Sequence, residues 1–82
     1  MAAYAYLLRC SDGSLYAGAC RDIDERLALH NAGKASKYTR SRLPVRVAYV
    51  ETCDTWSAAL RREAALKRLG KPQKEKLASA PH

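Results

Sequence analysis

The amino-acid sequence predicts an α+β fold: a small three-stranded antiparallel sheet covered by helices, in the order β-β-α-β-α-α. Three observations carry this. Two apolar runs flank a Ser-Asp-Gly-Ser turn near the start, and a third alternating run begins at Val45. Segments with helix start and stop signals follow the second and third runs. A hairpin and one further strand make a sheet with a face to bury, which the helices can cover.

In Ala3 to Cys10 (AYAYLLRC), Tyr4, Tyr6 and Leu8 alternate on one face of a strand. Ser11-Asp12-Gly13-Ser14 is a hairpin signal, because Gly13 accepts a positive φ without steric cost. Leu15 to Ala19 returns as the second strand. Asp22 begins a helix. With Glu25 three residues on it resembles a capping box, and acids in the first turn favour the helix dipole. Ile23, Leu27 and His30 share one stripe, and Gly33 is the expected C-terminal cap. Lys34 to Pro44, rich in Lys, Arg and Ser, reads as a loop. Val45 to Glu51 (VRVAYVE) alternates as the third strand. Thr55, or Asp54 before it, caps a longer helix to about Leu69, where Gly70 stops it. Pro72 suits the first turn of a short last helix running to about Ala78.

The chain of 82 residues, without repeats or a low-complexity linker, reads as one domain over 1–82. At this size roughly 60% of the unfolded surface is buried, so a second core is not available. Apolar residues at 48% and charged residues at 28% argue against disorder. Fifteen Lys+Arg against eight Asp+Glu give a formal charge of +7, which points to a polyanionic partner. No apolar run approaches the ~20 residues of a membrane span. The short apolar start, broken at Arg9 and without a basic leader, is not expected to be an export signal. Cys10, Cys20 and Cys53 cannot pair completely and form no CxxC, so a cytoplasmic protein with reduced thiols is expected. Zinc is a poor reading, since these cysteines with His30 and His82 lack paired ligand spacing.

Several residues sit where a core would not need them. Trp56, Ala59, Leu60 and Leu66 form the apolar stripe of the second helix, and Glu63 falls near its middle. A buried, isolated carboxylate is costly, so Glu63 either pairs with Lys67 at i+4 or borders a cleft. Arg26 and His30 stand four apart on one helix face, where they could grip a phosphate or serve as ordinary packing and solvated residues. Tyr4, Tyr6, Tyr16 and Tyr49 place hydroxyls in strands although the chain has no Phe. Lys34, Lys37, Arg40, Arg42 and Arg46 bring five cations and no acid, with Tyr38 among them. Such a segment is either a solvated loop or a nucleic-acid contact in which the ring stacks on a base.

Together these positions resemble the GIY-YIG nuclease domain in its small stand-alone bacterial members, over Tyr4 to about Ala78. Tyr4-Ala5-Tyr6 and Tyr16-Ala17-Gly18 correspond to the two name-giving tripeptides. Asp22-x-x-x-Arg26-Leu27-x-x-His30-Asn31 matches the phosphate-binding arginine and the His/Tyr after it, and Ala58 to Lys67 matches the helix with the metal-binding glutamate, Glu63. The first tripeptide lacks its leading glycine, and Ala19 stands where some members place a lysine. The resemblance implies a Mg²⁺- or Mn²⁺-dependent endonuclease, weakly sequence-specific or structure-selective. DNA is expected as the substrate ahead of RNA, in repair or recombination, and the products would carry 5′-phosphate and 3′-hydroxyl ends. It places Tyr6, Tyr16, Arg26, His30 and Glu63 at the catalytic site, with Glu63 holding one divalent ion. Lys34, Lys37, Tyr38, Arg40, Arg42 and Lys67 are the expected nucleic-acid contacts. Tyr6 is the candidate for activating water and Tyr16 for orienting it, with Arg26 and the metal lowering the phenol's pKa; His30 could share or assume the proton. The rival expectation is a nucleic-acid-binding module with little or no cleavage.

A shared site makes one geometric demand. A two-residue Asp12-Gly13 turn would pair Cys10 with Leu15 and place Tyr6 and Tyr16 on opposite faces. A three-residue loop with a left-handed Gly13 pairs Cys10 with Ser14 and puts both hydroxyls on one face, so an odd loop or a bulge is predicted.

Overall fold

The chain is described from a computed structural model over residues 2–79. His82, which entered the zinc reading, lies outside those residues, as does the first residue of the start read against export. Seven elements follow in order: β1 (Ala3–Arg9), β2 (Leu15–Cys20), α1 (Ile23–Asn31), α2 (Lys37–Arg40), β3 (Arg46–Cys53), α3 (Trp56–Arg68) and α4 (Lys71–Ser79). The strands form one antiparallel sheet in the order β2-β1-β3, so the expected class and element order hold, with β1 in the centre.

The hairpin has the odd loop that a shared tyrosine face requires. Arg9 faces Leu15, and the Cys10 amide donates to the Ser14 carbonyl at 2.9 Å, leaving Ser11, Asp12 and Gly13 in the loop. Gly13 has φ +86°, the left-handed conformation such a loop needs at its last position. Asp12 Oδ1 accepts from the Ser14 amide at 3.0 Å and locks the turn. In this register Tyr6 faces Gly18 and Leu8 faces Tyr16, so Tyr4, Tyr6, Tyr16, Gly18 and Cys20 share a face.

That face is covered by α1, through Ile23 and Leu27, and its core comprises Tyr6, Leu8, Cys10, Cys20 and Val45. The opposite face carries α3 and α4, with Ala5, Leu7, Ala17 and Leu66 packed as a second core. Ala3, Cys53 and Ala59 continue it towards the start of α3. All three cysteines are buried and unpaired.

The caps are the ones local chemistry calls for. Asp22 Oδ1 accepts from the Glu25 amide at 3.0 Å to open α1. Gly33, at φ +74°, closes it one residue beyond the C-cap Ala32, donating to the His30 carbonyl while Lys34 donates to that of Leu29. Thr55, not Asp54, caps α3 by accepting from the Ala58 amide at 3.0 Å.

Three expectations need correction. Lys34 to Pro44 is not all loop: Ser36 caps a single helical turn, α2, by accepting from the amides of Tyr38 and Thr39. β3 begins at Arg46 and runs on to Cys53, and it does not alternate simply. Leu7 faces Tyr49 while the next residue, Leu8, faces Val47, so Ala48 is an inserted bulge residue that sends Val47 and Tyr49 to opposite faces. Leu60 is 42% exposed and lies off the buried seam of α3, which runs through Ala59 and Leu66. Glu63 borders that seam, three residues before Leu66.

Candidate active site

The site grows from the tyrosine face of the hairpin and the last turn of α1. His30 is buried at 2% exposure, and its Nε2 lies 3.1 Å from the hydroxyl of Tyr6, itself 3% exposed. On the other side of the ring, Nδ1 lies 2.8 Å from Oγ1 of Thr39, a fully buried residue of α2. Both ring nitrogens are therefore satisfied, as burial of an imidazole demands. Tyr16 packs its edge against the same ring, with centroids 5.5 Å apart and planes at 65°.

Gly18 makes room for this arrangement. A Cβ there would stand 2.5 Å from Cζ of Tyr6 and closer still to its hydroxyl. The close approach of the Tyr6 ring to the β2 backbone thus requires glycine at this position.

Electrostatics correct one expectation. Burial, ahead of every neighbouring charge, pushes the Tyr6 phenol well above its ordinary value; Cys20, Tyr16 and Glu63 push the same way, and Arg26 pulls down without winning. The expected lowering by Arg26 is there but outweighed, because the cost of an anion in this core exceeds the attraction of one guanidinium. Burial first, and then the charge of Arg26, hold His30 below its ordinary 6.5. At neutral pH the pair is a phenol and an uncharged imidazole.

Arg26 and Tyr6 wall the same crevice, too narrow to admit a water molecule, with Leu8, Ile23, Leu27 and Val47. On its other side Arg26 borders an open cleft of about 340 Å³ between the end of β2 and the start of α3, lined also by Cys20, Arg21, Trp56 and the acids Asp22 and Glu25. Among the described residues, no hydrogen bond or ion pair engages the Arg26 side chain. A partly buried guanidinium without a partner is poised for an anion. A larger cleft, about 400 Å³ between the hairpin loop and the start of β3, contains none of the predicted catalytic residues.

Glu63 makes the ion pair that its spacing predicts, and none of the clefts described above includes it in its lining. Its Oε2 lies 3.3 Å from Lys67 Nζ, the expected i,i+4 pair, and its charge is among those felt by Tyr6. Its side chain is 21% exposed and Oε1 has no partner among the described residues. No three His, Cys, Asp or Glu side chains gather into a metal-binding group among the described residues. One open carboxylate suits a hard ion that keeps most of its waters, such as Mg²⁺, and does not suit a site made wholly of protein ligands.

The basic segment divides. Lys34, Lys37, Arg40 and Arg46 are exposed and make no ion pair among the described residues. Arg42 is occupied: Nε donates to Asp12 Oδ2 at 2.9 Å and Nη1 to the Tyr38 carbonyl at 2.9 Å. Its guanidinium carbon sits 3.8 Å over the Tyr38 ring, which is also stacked on Tyr16 with centroids 5.7 Å apart. Tyr38 is thus engaged by both Arg42 and Tyr16. Tyr38 remains 38% exposed, so a base would meet a ring already engaged by Arg42 and Tyr16.

Sequence reasoning missed Thr39 and Asn31. Asn31 clamps the entry to β3, donating to the Val45 carbonyl at 3.0 Å and accepting from its amide at 2.8 Å. Asn31 stood in the quoted α1 block, and Ser36 was a readable cap for the turn that delivers Thr39; neither pairing is legible from spacing alone.

Comparison with known proteins shows the family and the fold. Residues 2–76 match the GIY-YIG catalytic domain. A UPF0213 protein of Streptococcus pneumoniae is 49% identical over 77 residues, covering 94% of this chain and 78% of that one. A UPF0213 protein of Staphylococcus saprophyticus is 46% identical over 76 residues, 93% of each chain. The solution structure of a UPF0213 protein from Bacillus halodurans superposes with a TM-score of 0.60 at 40% identity, covering 96% of this chain and 84% of that one. With the tyrosine pair, the arginine and the glutamate on the expected elements, the chain belongs to the GIY-YIG catalytic domain family, a family with a nuclease fold.

Proposed function

We propose that the protein is an endonuclease that hydrolyses phosphodiester bonds of DNA with the help of one Mg²⁺ or Mn²⁺ ion, with structure selectivity or weak sequence preference. The observation that carries this is the buried Tyr6–His30 hydrogen bond beside an unpartnered Arg26. A core needs no such contact, and a hydrolytic site does.

Arg26 would hold a non-bridging phosphate oxygen. Tyr16 orients the attacking water beside Tyr6. As the water oxygen approaches phosphorus, its proton passes to the Tyr6 oxygen and the phenol's own proton moves to His30 Nε2. The bond to the 3′ oxygen breaks, and that oxygen takes a proton from solvent. An isolated buried phenol is a poor base, and the adjacent uncharged imidazole is what makes the transfer feasible. Glu63 would hold the ion, which when bound neutralises charge developing on the phosphate and the leaving oxygen. Lys34, Lys37 and Arg40 supply backbone attraction that is largely indifferent to sequence.

The test compares wild type with Glu63→Gln on labelled single-stranded, duplex, flap and forked DNA, with and without Mg²⁺. Metal-dependent cutting that falls at least about 100-fold in Glu63→Gln, with binding within about threefold, is expected. Equal cutting by both proteins, or binding without any cutting by wild type, overturns the enzymatic reading; the second outcome leaves a binding module.

A further inference from the structure

The single turn α2 places consecutive residues against two members of the site. Tyr38 stacks on Tyr16, and Thr39 meets His30 from behind. Thr39 is fully buried and its hydroxyl has two neighbours: His30 Nδ1 at 2.8 Å and the Ser36 carbonyl oxygen at 3.4 Å. A carbonyl oxygen can only accept, so making both contacts at once sends the Thr39 proton to Ser36 and turns a lone pair on Oγ1 towards Nδ1. At the other end of the ring, a phenol is a good donor and a weak acceptor, and the partner of the Tyr6 hydroxyl is Nε2. Both ends call for the same tautomer, with the proton on Nδ1 and the Nε2 lone pair towards Tyr6.

We propose that Thr39 is a positioning residue that holds His30 in the Nδ1–H tautomer, keeping Nε2 as the acceptor for the Tyr6 hydroxyl proton. The tautomer assignment stands on the hydrogen bonds alone; its consequence for hydrolysis rests on the nuclease reading above. An imidazole free in water favours the Nε2–H form. Without the Thr39 hydroxyl, the ring would place a proton on Nε2, donate to Tyr6, and have no lone pair at the atom where the proton must arrive. The requirement also gives α2 a reason to exist: a solvated loop would hold neither Thr39 nor Tyr38 in place.

Long-range ¹H–¹⁵N correlation of the imidazoles reads the tautomer directly at about pH 8. The chain has two histidines, and His30→Gln assigns the signals. Wild type is expected to show a protonated Nδ1 and a bare Nε2 at His30; a protonated Nε2 overturns the proposal without any variant. Thr39→Val keeps the shape and removes the hydroxyl, and should move the proton to Nε2. It should also lower kcat at least about tenfold with KM within about twofold. Thr39→Ser should restore both the Nδ1–H signature and kcat. Lost activity in Thr39→Val with the tautomer unchanged means a packing role and overturns the proposal. Should Thr39→Val fail to fold, wild type and Thr39→Ser still decide. A wild-type protein that cuts nothing but shows the Nδ1–H tautomer refutes the nuclease reading and upholds the assignment.

Discussion

The two faces of one sheet are built by opposite rules. β1 sends Ala3, Ala5 and Leu7 to the α3/α4 side, where Ala17 and Leu66 meet them in a centre without a polar side-chain atom. The polar contacts on that side lie at its rim. There the Tyr49 hydroxyl donates to Glu51 Oε2 at 2.9 Å, and Arg62 Nε sits 2.8 Å from Glu51 Oε1 without directing its N–H at it. The intervening residues of β1 face α1, and there the centre holds a phenol, an imidazole and a threonine hydroxyl in one buried chain of hydrogen bonds. Apolar burial stabilises in proportion to area, about 25 cal/mol per Å². A buried polar chain adds little net stability when complete and costs much when one partner is lost. The difference separates the effects of mutation: one face should answer in stability and the other in chemistry.

The sharpest break is on the apolar face. Leu66 is fully buried against Ala5, Leu7 and Ala17, so Leu66→Ala should cost about 3 kcal/mol in urea unfolding, while the folded fraction cuts as wild type does. Next is Gly18→Ala, which adds one methyl group where the Tyr6 ring stands. A loss of about 1–3 kcal/mol by the same measurement is expected, with a fall in cleavage larger than that loss explains, because the Tyr6 ring must shift away from His30. Wild-type cleavage in Gly18→Ala would mean that the phenol's place does not matter.

pH separates the faces further. The folded His30 binds its proton less readily than the unfolded residue does, so His30 contributes fully to stability above 6.5 and progressively less as pH falls below it. Unfolding followed from about pH 8 down to about pH 5 should show this decline, and His30→Gln should flatten it. An unchanged slope would refute an imidazole buried in its neutral form. The smallest effect belongs to the surface. Arg9 holds Glu75 of α4 through two contacts of 2.6 Å, with side chains 22% and 35% exposed, and Arg9→Ala should cost under about 1 kcal/mol, less in high salt.

What could be read from the sequence was mostly local. Asp22 and Thr55 announce their helices through caps that span three residues, and Gly13 sets the parity of the hairpin loop. That parity carried the shared face of Tyr6 and Tyr16. The unread parts depend on contacts across the chain. α2 is only four residues, too short to be stable alone, and it persists because Ser36 caps it and because Tyr38 and Thr39 are packed against Tyr16 and His30. The Ala48 bulge leaves no mark in a segment that reads as simple alternation. The Tyr6 phenol was misjudged for a related reason: neighbouring charges can be guessed from spacing, whereas the depth of burial that outweighs them cannot.

The claim on which the rest depends is that the polar face performs hydrolysis through the Tyr6 hydroxyl. Single-turnover cleavage of duplex and branched DNA by Tyr6→Phe, beside wild type, tests it by removing one oxygen atom from an otherwise intact ring. The account predicts a folded protein that binds DNA as before and cuts at least about 100-fold more slowly. Cleavage at the wild-type rate would contradict it, since the phenol at the centre of this face would then have no part in the chemistry.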